Sequence, residues 1–410
     1  MRISHNEIIS LLVQLGVMLM AARLFAELAR KLKQPAVVGE ILAGILLGPT
    51  LLGTVSPELF QKIFHLGQSS LVLDGFVQVA VVMLLFIAGL EVDLHIVWQQ
   101  GRQALFTSFF GLVIPFTLGF GMPYLLNSYF SAADARTQLA QALFMGISMA
   151  ITALPVIVRI LMDLNMFKSK MGMLVISSAM ITDMVGWLVL SVVLTMLGRT
   201  GEMNWFNTLW LTLGFTLLVL TFGRYFINKT LPWVNKRMAW PGGVLSISLA
   251  SCFLAAAFTE YIGIHAIFGA FIMGVALGDS EHLAERAKEI IHQFINNIFA
   301  PLFFVAIGLK VNFISNFDGW LTLIIILIAF SGKIVGAGLG TRLGGFNWRE
   351  SIAVGFGMNA RGAIEIVLGL VALEYGLINE TIFVSLVIMA LVTSMSSGPL
   401  MKWVLKKHQT

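Results

Sequence analysis

The residues best suited to chemistry sit in "SSAMITDMVGW", residues 177 to 187, where Asp183 lies in the middle of an apolar run from Met171 to Leu197. An ionisable group near the middle of a bilayer costs at least ~2.5 kcal/mol, so it faces a partner or an aqueous cavity. Lys333, in "FSGKIVGAGLG", Arg361 and Glu365, in "GMNARGAIEIVLG", and Glu40 pose the same problem. A carboxylate out of water holds a proton readily, and its oxygens also suit a hard alkali cation. The segment "SMAITALPVIVRI" offers further oxygens in Ser148 and Thr152, and its Pro155 removes one helical hydrogen bond. A second interruption is expected at "GFGMNARG", which combines three glycines with Asn359 and a cation. Interrupted helices in a bilayer expose carbonyls that can ligate a cation, and their half-helix dipoles need compensating charge.

The elements that must position these residues are membrane helices. The chain has 410 residues, 58% hydrophobic and 11% charged, and its mean hydropathy of +0.90 lies outside the soluble range. At ~20 residues per crossing the sequence predicts about thirteen spans, near 8–29, 34–52, 72–92, 102–126, 137–162, 171–197, 205–227, 241–261, 264–279, 293–312, 319–341, 350–374 and 380–402. The first is longer than a signal-peptide core and reads as a retained helix. With the N-terminus outside, the inward loops collect most lysines and arginines, Arg30, Lys31, Lys168, Lys236, Arg237, Arg342 and Lys402 among them, against Arg2, Lys62, Arg136, Arg199 and Lys310 on the other face. This bias places the C-terminus in the cytoplasm. The net charge of +5 is therefore a topology signal and not a nucleic-acid surface. No attached soluble domain is expected, and the tail from Lys402 to His408 reads as a cytoplasmic end. Cys252, the single cysteine, excludes an intrachain disulfide and reads as a buried spectator thiol.

The spans also repeat. The second reads "AVVGEILAGILLG" from Ala36 and the ninth "AIFGAFIMGVALG" from Ala266, so that Gly39, Gly44 and Gly48 coincide with Gly269, Gly274 and Gly278 at an offset of 230. The third ends "AGLEVD" at Asp93 and the tenth "IGLKVN" at Asn312. An odd number of spans separates each pair, so related helices run in opposite directions, as in alternating-access transporters. A channel needs no such symmetry. Interrupted helices at corresponding places in two inverted halves point to a transport site. Arg361 and Glu365, one helical turn apart, then have two readings, a structural ion pair or a direct part in transport.

Other residues carry blander readings. Seven histidines show no metal-ligand spacing, and His265 reads as a packing or hydrogen-bonding residue. "GILLG" and "GAGLG" are helix-packing glycines, since no strand precedes them. Glu40 reads as a structural acid, because its repeat counterpart is Ala270. No catalytic triad or nucleotide site is found, so neither an enzyme nor a cofactor is expected.

The ordered set "QPAVVGEILAGILLGP", "LLFIAGLEVD", "ITALPVIVRIL", "ITDMVGW", "PLFFVAIGLKVN", "GKIVGAGLG" and "GMNARGAIEIVLG" resembles the second monovalent cation:proton antiporter family, over essentially the whole chain. The resemblance implies an all-α membrane protein of about 13 transmembrane helices in an inverted-repeat sodium/proton antiporter fold with two crossed, broken helices. It implies that 1–92 and 241–312 form a dimer-forming scaffold, 102–197 and 319–402 a mobile core, and 205–227 a linker helix. It makes Asp183 the residue that binds cation and proton, with Thr152, Ser148 and Thr182 beside it and Lys333, Arg361 and Glu365 as compensating charges, while Pro155 and Asn359 mark the breaks. Members with two adjacent acids are electrogenic; here the neighbouring position is Thr182, which leaves one carboxylate and predicts electroneutral one-for-one exchange. Lys333, without that second acid, either pairs with the empty Asp183 or stays neutral. The partners implied are Na+ or K+, Li+ as a further candidate, H+, the lipid bilayer of a bacterial inner membrane and a second copy in a homodimer, with no nucleic acid. A cation channel, or a symporter or sensor on the same scaffold, is the alternative.

Overall fold

The structure is a computed structural model that describes residues 5–32, 34–64, 69–92, 94–130, 132–164, 166–167, 169–196, 205–280 and 282–406. Arg2, Asp93, Lys168, Arg199 and His408, which entered the sequence reading, lie outside the described residues. The described chain is helical throughout: α1 (His5–Lys31), α2 (Ala36–Leu47), α3 (Leu52–Val55), α4 (Pro57–Phe64), α5 (Ser69–Leu90), α6 (Leu94–Leu125), α7 (Ala135–Ala150), α8 (Leu154–Asp163), α9 (Lys170–Met196), α10 (Trp205–Leu218), α11 (Arg224–Arg237), α12 (Gly242–Tyr261), α13 (Ala266–Gly278), α14 (Glu285–Phe294), α15 (Ala300–Lys310), α16 (Gly319–Leu343), α17 (Trp348–Met358), α18 (Ala363–Glu374) and α19 (Glu380–Lys406). π-Helical turns at Val219–Gly223 and Ile295–Phe299 join α10 to α11 and α14 to α15. Helices satisfy every backbone group internally, the condition for crossing hydrocarbon.

Among the described residues ten helical stretches are long and apolar enough to cross a membrane. Ala266–Gly278 is a shorter apolar helix, and 135–163 and 348–374 are each two helices separated by a non-helical step. The expected count of about thirteen included these three segments. Their ends are set by local chemistry. Asp134 caps α7 by accepting from the Thr137 N–H at 2.7 Å, and Asp318 caps α16 through Leu321 N–H at 2.8 Å. Asn347 and Glu350 form a reciprocal capping box on α17.

The inverted repeat is written into the packing. Gly39 on α2 lies against the Phe25 carbonyl of α1, and Gly269 on α13 lies against the Ala255 carbonyl of α12; both members of each pair keep the offset of 230. Gly44 abuts Val305 on α15, and Gly274 abuts Phe86 on α5. Phe86 and Val305, like Gly89 and Gly308, are themselves related by a second offset, of 219. Any Cβ at Gly44 or Gly308 would fall within 2.3 Å of backbone atoms of the facing helix, so these helices touch main chain to main chain. α16 packs along α6 in the same manner, with Gly332, Gly336 and Gly340 against Pro115, Phe110 and Phe106. Large apolar side chains such as Leu24, Phe222 and Leu254 face outward, as lipid contact requires.

Candidate functional site

The two interrupted segments meet. Between α7 and α8 the chain is extended at Ile151 and Ala153. Pro155, the second residue of α8, has no N–H to return to the Ile151 carbonyl, which explains why the helix cannot run through. Between α17 and α18, Asn359 to Gly362 leave the helical path. The segments are tied by the Ala153 N–H to the Ala360 carbonyl at 2.8 Å and by the Thr152 hydroxyl donating to the Met358 carbonyl at 2.8 Å. Gly362 allows this approach, since a Cβ there would sit 3.0 Å from Val156 and 3.1 Å from Ala153.

Arg361 locks the crossing. Its Nη1 donates to the Ser148 carbonyl, its Nη2 to the Met149 carbonyl at 2.6 Å, and Nη1 also reaches both Glu365 oxygens, at 3.0 and 3.1 Å. The guanidinium thus caps the C-terminal end of α7, where the half-helix dipole is negative, while Glu365 occupies the first turn of α18, where it is positive. Both side chains are buried. Ser394 on α19 donates to the Arg361 carbonyl, a tether that the sequence does not announce because its partner is backbone.

Asp183 sits near the middle of α9, beside the crossing. Gly186, one turn on, lies against Ile151, where a Cβ would come within 2.7 Å of that side chain. The Thr152 backbone N–H is directed at the Asp183 carboxylate, and Lys333 and Glu91 lie within electrostatic reach of it. Asp183 is 3% exposed, and its Oδ1 has no hydrogen-bond partner among the described residues. The Ser148 hydroxyl and both side-chain atoms of Asn359 are likewise buried without partners. Buried polar atoms are normally satisfied, so this cluster is where water, a proton or a cation belongs. Thr182, expected beside the carboxylate, instead donates to the Ala179 carbonyl of its own helix at 2.9 Å. Lys333 is fully buried and donates to the Gly111 carbonyl on α6 at 3.1 Å; among the described residues no ion pair joins it to Asp183.

A cavity of about 960 Å³ reaches the first helix break at Ala153, next to Thr152, without Asp183 on its lining. Its lining runs from exposed Arg30, Arg159 and Lys402 to buried Ala153 in the first break. Glu40, read from the sequence as a structural acid, and Glu91 are on its walls. At the opposite ends of α15 and α18, Lys310 Nζ meets Glu374 Oε1 at 2.6 Å and Asp74 Oδ1 at 3.2 Å. His265 accepts from the Ile267 N–H at the start of α13, a capping role, and Cys252 is buried.

Crossed, interrupted helices thus lie around a buried carboxylate between inverted repeats. The chain belongs to the transmembrane sodium/hydrogen exchanger family, which it matches over residues 16–407, and is an integral membrane protein. It is 33% identical over 408 residues to Cation/H(+) antiporter 17 of Arabidopsis thaliana, covering 97% of this chain and 48% of that protein. The chain thus spans about half the length of such curated relatives. It is 31% identical to Na(+)/H(+) antiporter NhaS4 of Synechocystis, covering 96% of this chain and 97% of that one. The sodium proton antiporter MjNhaP1 from Methanocaldococcus jannaschii shares the fold, with a TM-score of 0.68 at 18% identity, over 98% of this chain and 99% of that one.

Proposed function

We propose that this chain exchanges a monovalent cation, Na+ or K+, for H+ across the membrane by alternating access, one for one through Asp183. The observation that carries the reading is the Asp183 carboxylate, buried beside two crossed helix breaks with an oxygen left unpartnered. Family membership over residues 16–407 and the antiporter names of the relatives support it.

One carboxylate cannot hold a proton and a cation together. With either bound, its charge is neutralised and the core can move; empty, it carries a charge whose passage through hydrocarbon is expensive. Exchange follows from that competition. The Thr152 and Ser148 hydroxyls and the Asn359 amide complete an oxygen shell, with water, for an alkali cation. Arg361 and Glu365 hold the half-helix ends and do not touch the cargo. Lys333 supplies positive charge near the site when it is empty. Thr182 stands where a second acid would stand and bonds to its own helix, so the cycle is electroneutral.

The cavity mouth carries Arg30, Arg159 and Lys402, the basic face that marks the cytoplasm. The state is therefore inward-facing, with the N-terminus outside and the C-terminus inside the inner membrane of a bacterium, and with all thirteen segments crossing. The Lys310 cluster closes the outer end between the scaffold, 1–92 and 241–312, and the core, 102–197 and 319–402, with 205–227 as the linker. The scaffold also carries the homodimer contact.

The test is proton movement in proteoliposomes, followed with a pH dye on adding Na+, K+ or Li+. Wild type should move protons for at least one of these ions without generating a voltage-dependent current, and Asp183→Asn should not. Exchange at an ordinary rate by Asp183→Asn would overturn the reading, and a current with no proton movement would indicate a channel.

A further inference from the structure

We propose that Glu40 and Glu91 form a second cation station, on the cavity wall ahead of Asp183, that holds a partly hydrated Na+ or K+ before it reaches the crossing. The proposal rests on the exchange reading of Asp183. Glu40 lies on α2 and Glu91 directly follows α5, and both line the cavity whose wall also includes Ala153, the neighbour of Thr152. Glu40 is only 7% exposed and makes no hydrogen bond or ion pair to any described residue. Glu91 has its Oε1 3.8 Å from His292 Nδ1, and its Oε2 is buried with no partner. Glu27, near the same mouth, is by contrast paired with Arg23 at 2.9 Å and with Arg30 at 2.6 Å.

The surroundings fit a cation. The π-helical turn Ile295–Phe299 brings Asn296 and Asn297 to the same cavity, and such turns recur at functional sites. Their amide oxygens, the carboxylates and water are the ligands an alkali ion takes. The mouth is basic, through Arg30, Arg159 and Lys402, so an entering cation is repelled first; two acids behind that ring reverse the local potential.

The repeat makes the station one-sided. At the offsets of 230 and 219, the counterparts of Glu40 and Glu91 are Ala270 and Lys310, so the opposite mouth has no acids at these positions. Both acids also sit in the scaffold, so the station stays in place while Asp183 moves.

The test is exchange in proteoliposomes started from either side with Na+ or K+. Glu40→Gln/Glu91→Gln should raise the cation KM from the cavity side about tenfold, with the opposite KM and the maximal rate within about twofold; Glu40→Asp/Glu91→Asp should restore it. No shift, or equal shifts on both sides, overturns the proposal. A second measurement covers poor folding of the double variant. In detergent, Asp183→Asn should still gain Tm in NaCl or KCl relative to choline chloride, and Asp183→Asn/Glu40→Gln/Glu91→Gln should not. Absence of that gain in Asp183→Asn overturns the station. Exchange persisting in Asp183→Asn would sink the antiport reading and the station with it.

Discussion

Arg361 and Asp183 are both ionisable side chains buried at the same helix crossing, yet their surroundings differ. Both terminal nitrogens of Arg361 are engaged, by the Ser148 and Met149 carbonyls and both Glu365 oxygens, while its Nε has no partner among the described residues. Asp183 has an oxygen with no partner among the described residues, as do the Asn359 side chain and the Ser148 hydroxyl at the two breaks. A buried charge that the protein satisfies by itself fixes geometry. One that it leaves unsatisfied reserves a place for something that arrives and departs. On the proposed exchange reading, the difference favours a structural ion pair for Arg361 and Glu365 and leaves ligand exchange to Asp183.

The contrast can be broken most severely at Arg361. Arg361→Ala would strand Glu365 and two helix-end carbonyls, a loss of about 3–5 kcal/mol, seen as a large fall in Tm and yield in detergent. A folded, transporting Arg361→Ala protein would erase the distinction. Lys333→Gln removes a positive charge within reach of Asp183, so the cation KM should fall about fivefold. An unchanged KM would make Lys333 a tether to the Gly111 carbonyl and nothing more. Lys310→Gln should loosen the end opposite the cavity by no more than about 1 kcal/mol, since the pair is partly exposed. Faster labelling by an impermeant maleimide of Gln78→Cys, at the α5 position whose side chain donates to Glu374 beside the pair, would report it, with buried Cys252 as a low background.

The smallest effect lies at a helix cap. The backbone N–H of Leu321 holds the Asp318 carboxyl below the usual carboxylate range, helped by the Tyr129 hydroxyl. A depressed folded value means that the stabilisation is present above the ordinary value of about 4 and is lost as pH falls through the folded one. Asp318→Asn, which keeps the cap, should remove that acid-dependent loss, worth under about 1 kcal/mol, in melts between neutral and acid pH.

Much of this was legible in the sequence because membrane burial makes each charge conspicuous. Asp183, Lys333, Arg361 and Glu365 stand out against apolar runs, and Pro155 and the glycines around Asn359 announce the breaks. The repeat showed itself because close backbone contact demands glycine at matched positions. What stayed hidden depends on partners without a sequence signature. Lys333 bonds to the backbone of Gly111, Ser394 to that of Arg361, and Thr182 turns back on Ala179. Glu40 read as a structural acid and Glu91 drew no notice as a site residue, because only the packing of distant helices puts them on one cavity.

The central claim is that Asp183 exchanges one bound proton for one bound cation. Calorimetric titration of the detergent-solubilised protein with NaCl or KCl, in buffers of different ionisation enthalpy, counts protons released as the cation binds. One proton per cation at Asp183, absent in Asp183→Asn, is the predicted result; cation binding that releases no proton in the wild type would contradict it.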